Sequence, residues 1–322
     1  MELRPSAECL GERPGVPASQ GEVDRLHGDE VEQHGQLVAV LAAEELQLLV
    51  EGQVDLSEED AVTGPPLHPD SQWATFVRNH DELTLDKLTD EERAEVFTAF
   101  GPEERMQVFG RGLRRRLPPM LGGDPRRIRM VYSLLFSLPG TPVLFYGEEI
   151  GMGESLDAEG RLAVRTPMQW TSGRNGGFSN AEPRRLPGPV VSGGFSPEFV
   201  NVQDQRHDPD SLLSFMKLLI RRYRESPELG WGEFRVLEQP HPSVLAHVCS
   251  WDDGALVALH NLGGEPLVVP LTLEGCTAED RLVDLLQAGS TPVTDDGTAE
   301  VPLDGYGYRW LRVVDQAGRR LV

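Results

Sequence analysis

The first 70 residues contain no phenylalanine, tryptophan, tyrosine or lysine, although the 322-residue chain holds 21 aromatics. The same stretch carries 16 Asp or Glu against 3 Arg, a charge of −13 out of a total of −22. So acidic and aromatic-free a segment buries too little apolar surface to offset its ordering entropy. Only 37–50 (LVAVLAAEELQLLV) has an apolar, helix-forming pattern, so residues 1–70 are expected to form a disordered or weakly helical leader. A truncated gene, a late start or a shifted frame would each produce such a leader, and the sequence does not choose among them. Cysteine is equally scarce. Cys9, Cys249 and Cys276 are too few and too scattered for a disulfide framework or a zinc site. No apolar run reaches 18 residues and no charged-then-apolar leader precedes a cleavage site, which argues against a membrane span or signal peptide and for the cytoplasm. The eight histidines show no metal-ligand spacing, so neither metal nor cofactor is expected. With the net charge so negative, the arginines at 114–116 and 126–129 are expected to pair with acidic residues on helices and not with nucleic acid.

What is present begins at Trp73. Trp73, Thr75, Phe76 and Val77 form a short β-branched and aromatic run that reads as a buried parallel strand, with Asn79, His80 and Asp81 at its C-terminal end. In a (β/α)₈ barrel that end faces the active site. A His followed by an Asp suits a sugar, the imidazole bonding ring hydroxyls and the carboxylate opposing positive charge at the anomeric carbon. The plainer alternative makes Asp81 a helix N-cap and His80 a packed side chain. Residues 125–138 then repeat apolar side chains at Ile128, Val131, Leu134, Leu135 and Leu138, a helix with one buried face. Pro139-Gly140 breaks it, and 141–146 (TPVLFY) is a second apolar strand, completing a βαβ unit.

FVRNHDE, SLPGTPVLFYGEEIGMG, RTPMQW at 165–170 and NGGFS at 175–179 together closely resemble the C-terminal part of glycoside hydrolase family 13, the α-amylase superfamily. NHDELTLDKLTDEER, RRRLPPMLGGD and the NGGFS that follows RTPMQW resemble its trehalose synthase (maltose α-D-glucosyltransferase) branch most. The resemblance implies an α/β plus all-β chain: the C-terminal portion of a (β/α)₈ TIM barrel, strands 7 and 8 with their helices, then an antiparallel β-sandwich. It makes Asp81 the transition-state stabiliser, His80 a hydroxyl ligand of the reacting sugar, and Arg165 a residue near the substrate entrance, with Gln169 and Trp170 shaping the loop behind. Trp170 as a core residue of that loop remains the alternative. No metal site is implied in this part of the family.

Domain organisation follows: the leader 1–70, barrel-derived residues 71–229, and a sandwich from 230 to 322. Residues 151–201, rich in Gly, Pro, Ser and Asn, read as a long functional loop. Leu212 to Glu225 reads as an amphipathic helix behind the Asp208-Pro209-Asp210-Ser211 start signal. Phe234–Leu237, Val244–Trp251, Ala255–Leu262, Pro266–Leu273 and Gly307–Val314 are short candidate strands separated by turn signals. By the same resemblance such a sandwich is expected to pack on the barrel and stabilise it, with a core of its own and no chemistry. Trp251, Trp310 and Tyr308 are either a sugar-stacking patch or, as the plainer reading, core.

Retaining glycosidases need a nucleophile and a general acid about 5 to 5.5 Å apart. The resemblance places both on earlier barrel strands, and neither pattern is recognisable among the 72 residues before Trp73, whereas a barrel takes about 250. The expected function is therefore an enzyme of the trehalose synthase type, interconverting maltose and trehalose by α-glucosyl transfer, with this polypeptide inactive alone. An α-glucosidase or oligo-1,6-glucosidase and a non-catalytic remnant are the alternatives. Expected partners are α-glucosides such as maltose and trehalose, without nucleic acid or membrane, and with oligomerisation left open.

Overall fold

The computed structural model describes residues 72–252 and 254–315, so the expected leader and Cys9 lie outside the described residues. The chain enters through β1 (Ala74–Thr75), continues through β2 (Leu83–Thr84), α1 (Asp90–Phe100), β3 (Gln107–Val108), β4 (Gly112–Leu113), α2 (Leu117–Met120) and α3 (Pro125–Ser137), and returns in β5 (Thr141–Pro142). β1 and β5 pair in parallel with Ala74 opposite Thr141. The Thr141 N–H donates to the Trp73 carbonyl and the Val143 N–H to that of Thr75, both at 2.7 Å. Gly140, at φ +107°, makes the approach feasible, because a Cβ there would lie 2.8 Å from the Trp73 carbonyl oxygen. The expected βαβ unit is thus present. Its strands are shorter and less covered than the apolar runs suggested, with Val143 and Tyr146 exposed. A parallel strand is enclosed when it has neighbours on both sides, and among the described residues β1 and β5 have only each other.

α3 starts at the Asp124 N-cap, whose side chain accepts from the Arg126 N–H, with Pro125 in the first turn. Its burial exceeds the single face expected: Met130, Tyr132, Ser133, Phe136 and Ser137 are buried beside Ile128, Val131, Leu134 and Leu135. A second layer covers its other side. α4 (Val202–His207), α5 (Leu212–Arg224), capped by Ser211, and α6 (Pro227–Trp231) lead into that layer. Between 151 and 201 the chain forms only 3₁₀ turns of three to five residues, as expected of a long loop.

The second layer comprises β6 (Glu233–Leu237), β7 (Val244–Trp251), β8 (Gly254–Asn261), β9 (Leu267–Thr272), β10 (Asp280–Asp284), β11 (Ser290–Pro292), β12 (Thr298–Leu303) and β13 (Tyr308–Asp315). Six of them form an antiparallel sheet in the order β11-β10-β13-β8-β7-β6, and β12 pairs with β9. One face of the large sheet buries Val248, Val257, Leu259, Leu282, Leu311 and Val313 against Val269, Leu271 and Val301 of the small one. The opposite face buries Leu245, Leu256, Ala258 and Trp310 in one continuous core with α3 and α5. This explains why β7 is buried at every position from Val244 to Cys249 while β9 alternates. The sandwich thus has the core of its own that was expected, between its two sheets, and the other face of its large sheet packs on the barrel-derived helices. Trp310 is core, its indole N–H donating to the Ser133 hydroxyl at 3.1 Å, and Tyr308 packs on Phe215. Trp251 is exposed. Among the described residues no helix is long and apolar enough to cross a membrane.

Candidate functional site

The turn after β1 is set by its own side chains. The Asn79 carboxamide oxygen accepts the Asp81 N–H at 2.8 Å, and Arg78, buried beneath, donates to the carbonyls of Asp81 (2.7 Å) and Arg115 (2.8 Å). Burial brings the Arg78 guanidinium down to about 10, partly offset by the Glu148 carboxylate. Asp81 caps no helix; the next one takes Thr89 as its N-cap. Its carboxylate turns instead toward the long loop, where Arg165 Nη2 meets Oδ1 at 2.6 Å and Arg161 Nη1 meets it at 3.3 Å. His80 Nε2 stands 3.2 Å from Oδ2, its ring 63% exposed against 22% for Asp81 and tilted toward Phe145. Arg165 also donates through Nε to the His80 carbonyl at 2.6 Å. Asp81, His80 and Arg165, separated by up to 85 positions, come together in one cluster.

Arg161 was not foreseen. It grips the nearly buried Glu82 with two nitrogens (Nε–Oε2 2.6 Å, Nη2–Oε1 3.1 Å) while touching Asp81. The 3₁₀ turn 160–164 places it one turn before Arg165, so that both guanidiniums face the Asp81-Glu82 pair. Two carboxylates thus meet two cations.

Three consecutive arginines clamp this loop, and they do so mainly through carbonyls and not, as expected, through acids on helices. Arg114 donates to the carbonyls of Leu156 and Ala158, and Arg116 to those of Val164 and Tyr146. Arg115 pairs with Glu154, a loop residue, at 2.9 Å. Of the second cluster, Arg126 pairs with Asp124 and Arg129 donates to the Asp210 carbonyl. The Arg116 guanidinium lies 4.7 Å from the Phe145 ring centroid and is fully enclosed. Glu148 is buried close by, accepting from the Phe145 N–H at 2.7 Å and the Tyr132 hydroxyl at 3.3 Å. Burial pushes its carboxyl up to about 7, against the pull of that N–H, Arg116 and Arg78.

On the far side of Arg165 a groove of about 380 Å³ runs between Tyr146, Glu149, Met168, Trp170 and Phe178. Trp170 is 48% exposed, which removes the core alternative for it. Gln169 is enclosed and structural, donating to the carbonyls of Phe195 and Val200. Aromatic faces with one carboxylate and one guanidinium suit a neutral polyhydroxylated ligand, whose C–H faces stack while its hydroxyls bond the charged groups. Among the described residues no group of three His, Cys, Asp or Glu is placed to hold a metal.

Comparison with known proteins agrees with this geometry. Residues 109–232 match the model of the α-amylase catalytic domain, and residues 254–312 that of the sucrose hydrolase-like C-terminal domain. The trehalose synthase/amylase TreS of Mycobacterium tuberculosis (strain CDC 1551 / Oshkosh) is 39% identical over 277 residues, covering 82% of this chain and 44% of that protein. The trehalose synthase of Thermus thermophilus is 42% identical over 206 residues, 63% of this chain and 21% of the relative. This chain therefore spans less than half the length of these curated relatives. Among solved structures, the α-amylase from H. orenii superposes with a TM-score of 0.57 at 21% identity, over 87% of this chain and 47% of that one. At that identity the likeness speaks for the fold.

Proposed function

Because this chain belongs to glycoside hydrolase family 13, the α-amylase family, we propose that it is part of an enzyme of the trehalose synthase type, acting on α-glucosides such as maltose and trehalose. The observation that supports this most is the Asp81–His80–Arg165 cluster at the C-terminal end of β1, whose Arg165 also lines an aromatic groove. In this reading the reaction runs by double displacement. An enzyme carboxylate attacks the anomeric carbon as the glycosidic oxygen leaves with a proton from the general acid; the released glucose then turns and attacks through a different hydroxyl, returning its proton to the same group. Asp81 opposes the positive charge that develops on the sugar, and His80, exposed and fixed beside it, bonds a ring hydroxyl. Arg165 holds the Asp81 carboxylate in place without sugar and lies between it and the groove, where the released glucose waits. A loop clamped by Arg114, Arg115 and Arg116 is stiff enough to keep water off the intermediate, which water would otherwise hydrolyse.

Nucleophile and general acid are not recognisable in this sequence, so the polypeptide by itself is inactive in this proposal. A second reading, simple hydrolysis, is favoured by the name of the M. tuberculosis relative, which includes an amylase. The test joins residues 72–322 to the part of a trehalose synthase relative that they do not cover. The expected outcome is no turnover of maltose by the chain alone, and mostly trehalose with minor glucose from the chimera. Turnover by the chain alone that Asp81→Asn abolishes refutes its inactivity, and glucose as nearly the sole product of the chimera refutes the transferase reading.

A further inference from the structure

Away from the groove, two exposed indoles stand side by side among the described residues. Trp231 ends α6 and Trp251 ends β7; they are 62% and 42% exposed, with ring centroids 6.4 Å apart and planes 41° from each other. Exposing two adjacent tryptophans forfeits burial of the largest apolar side chains, on the order of 2 kcal/mol each, so a ligand is the natural account of their position. From this geometry we infer that Trp231 and Trp251 form a second carbohydrate-binding site, a stacking platform for a linear α-linked glucan of several units, separate from the Asp81 cluster.

Three features carry the inference. The platform is stiff: beneath it Glu228 is buried and paired with Arg312 at 2.9 Å, and Arg312 also bonds the Ser226 hydroxyl at 2.8 Å. Gly232, directly after Trp231, is crowded enough that a Cβ would lie 2.1 Å from the Glu228 carbonyl, so the backbone leaves the helix there along a close-packed path. Preformed aromatic faces lose little freedom on binding. The platform is also open, because the cross-strand partner of Trp251 is Gly254, which has no side chain to cover the indole. Finally, the flanking residues Glu233, Ser250 and Asp252 are exposed and polar or acidic. Stacking alone would also suit nucleic-acid bases, but carboxylates on a chain of net charge −22 repel phosphates. A neutral polyol accepts such neighbours, its hydroxyls donating to carboxylates while its C–H faces lie on the indoles. Successive pyranose rings of an α-glucan are turned against each other, as these planes are.

The test is native electrophoresis of the full chain through gels with and without glycogen, with maltoheptaose titrated against tryptophan fluorescence. Retardation by glycogen is expected, with Trp231→Ala and Trp251→Ala each weakening binding on the order of tenfold while circular dichroism stays that of the parent. Trp231→Phe and Trp251→Phe, which keep a ring, should bind between parent and alanine variants. Lack of retardation of the parent chain overturns the inference, as does retardation that survives both alanine variants or that only Trp170→Ala removes. Sedimentation showing a dimer that Trp231→Ala dissociates would assign the rings to a second copy and overturn it too.

Discussion

Acidification should loosen the contact between the helices and the large sheet, through two histidines that cannot easily be protonated where they are. His247 on β7 and His260 on β8 are fully buried against α3, their rings stacked 6.0 Å apart and nearly parallel. His247 Nε2 donates to the Ser137 carbonyl at 2.9 Å, and His260 Nε2 meets the Ser133 hydroxyl at 3.0 Å. Among the described residues neither Nδ1 has a partner. Burial brings His247 from its ordinary 6.5 down to about 4, and His260 is driven well below its ordinary value by burial and by the facing His247. With folded values depressed, the unfolded chain takes up protons first, so the stability is whole above about pH 6.5 and is lost as pH falls toward 4. Between pH 7 and 5 His247 alone should cost about 2 kcal/mol, with His260 adding to it in the same direction.

Glu148 works the other way. Its carboxyl, raised to about 7 by burial, makes the folded chain the better proton binder between its ordinary 4.5 and 7, so the same acidification should return about 2 kcal/mol. The net pH dependence therefore hides two opposing terms, and a difference between variants separates them. Urea unfolding followed by tryptophan fluorescence at pH 7 and 5 should show that His247→Gln, less stable overall, loses less on acidification than the parent by about 2 kcal/mol. Glu148→Gln should lose more than the parent. Parallel pH profiles for parent and His247→Gln would refute the reasoning.

The shared core predicts that limited proteolysis leaves a fragment keeping α3 together with the large sheet, because cutting at Gly230 would strip the cover from Trp310, Leu256 and Ala258; a resistant fragment beginning near Gly230 would contradict this. Arg116→Ala should cost roughly 3 kcal/mol or more, since it leaves the Val164 and Tyr146 carbonyls without their charged donor. Arg165→Ala, which removes a partly exposed pair, should cost less than about 1 kcal/mol; equal shifts in thermal midpoint for the two would refute the distinction between clamp and site.

Strong periodicity made α3, α5 and the strands from β6 to β9 legible, because a 3.6-residue or continuous apolar pattern is what a buried element requires. α1 was missed although Thr89 and Glu92 form a capping box before it. Only Val96 and Phe100 of its eleven residues are buried, so its apolar pattern is faint. β10 to β12 were hidden by charged and proline residues at their outward positions, such as Arg281, Glu300 and Pro302. The full burial of α3 was not legible either, since it depends on a sheet that begins about a hundred residues later.

The site divides along the same line. His80 and Asp81 were visible because their meaning is local, a polar pair at the end of an apolar run, and Arg165 entered through the motif that contains it. Arg161, Arg78, Arg116 and Glu148 were not, because each has at least one partner between 30 and 80 positions away. A net charge of −22 encourages the view that arginines are surface counterions. Here it misleads, because a loop without regular structure has no ladder to satisfy its carbonyls and must find donors elsewhere. Guanidinium groups, with five donors each, are the side chains best able to supply them. The run Arg114-Arg115-Arg116 is thus the counterpart of the irregular stretch 151–165, whose carbonyls at Leu156, Ala158 and Val164 it satisfies. The aspartate of the candidate site depends on that match, since Arg161 and Arg165 reach Asp81 only from a loop held at that height.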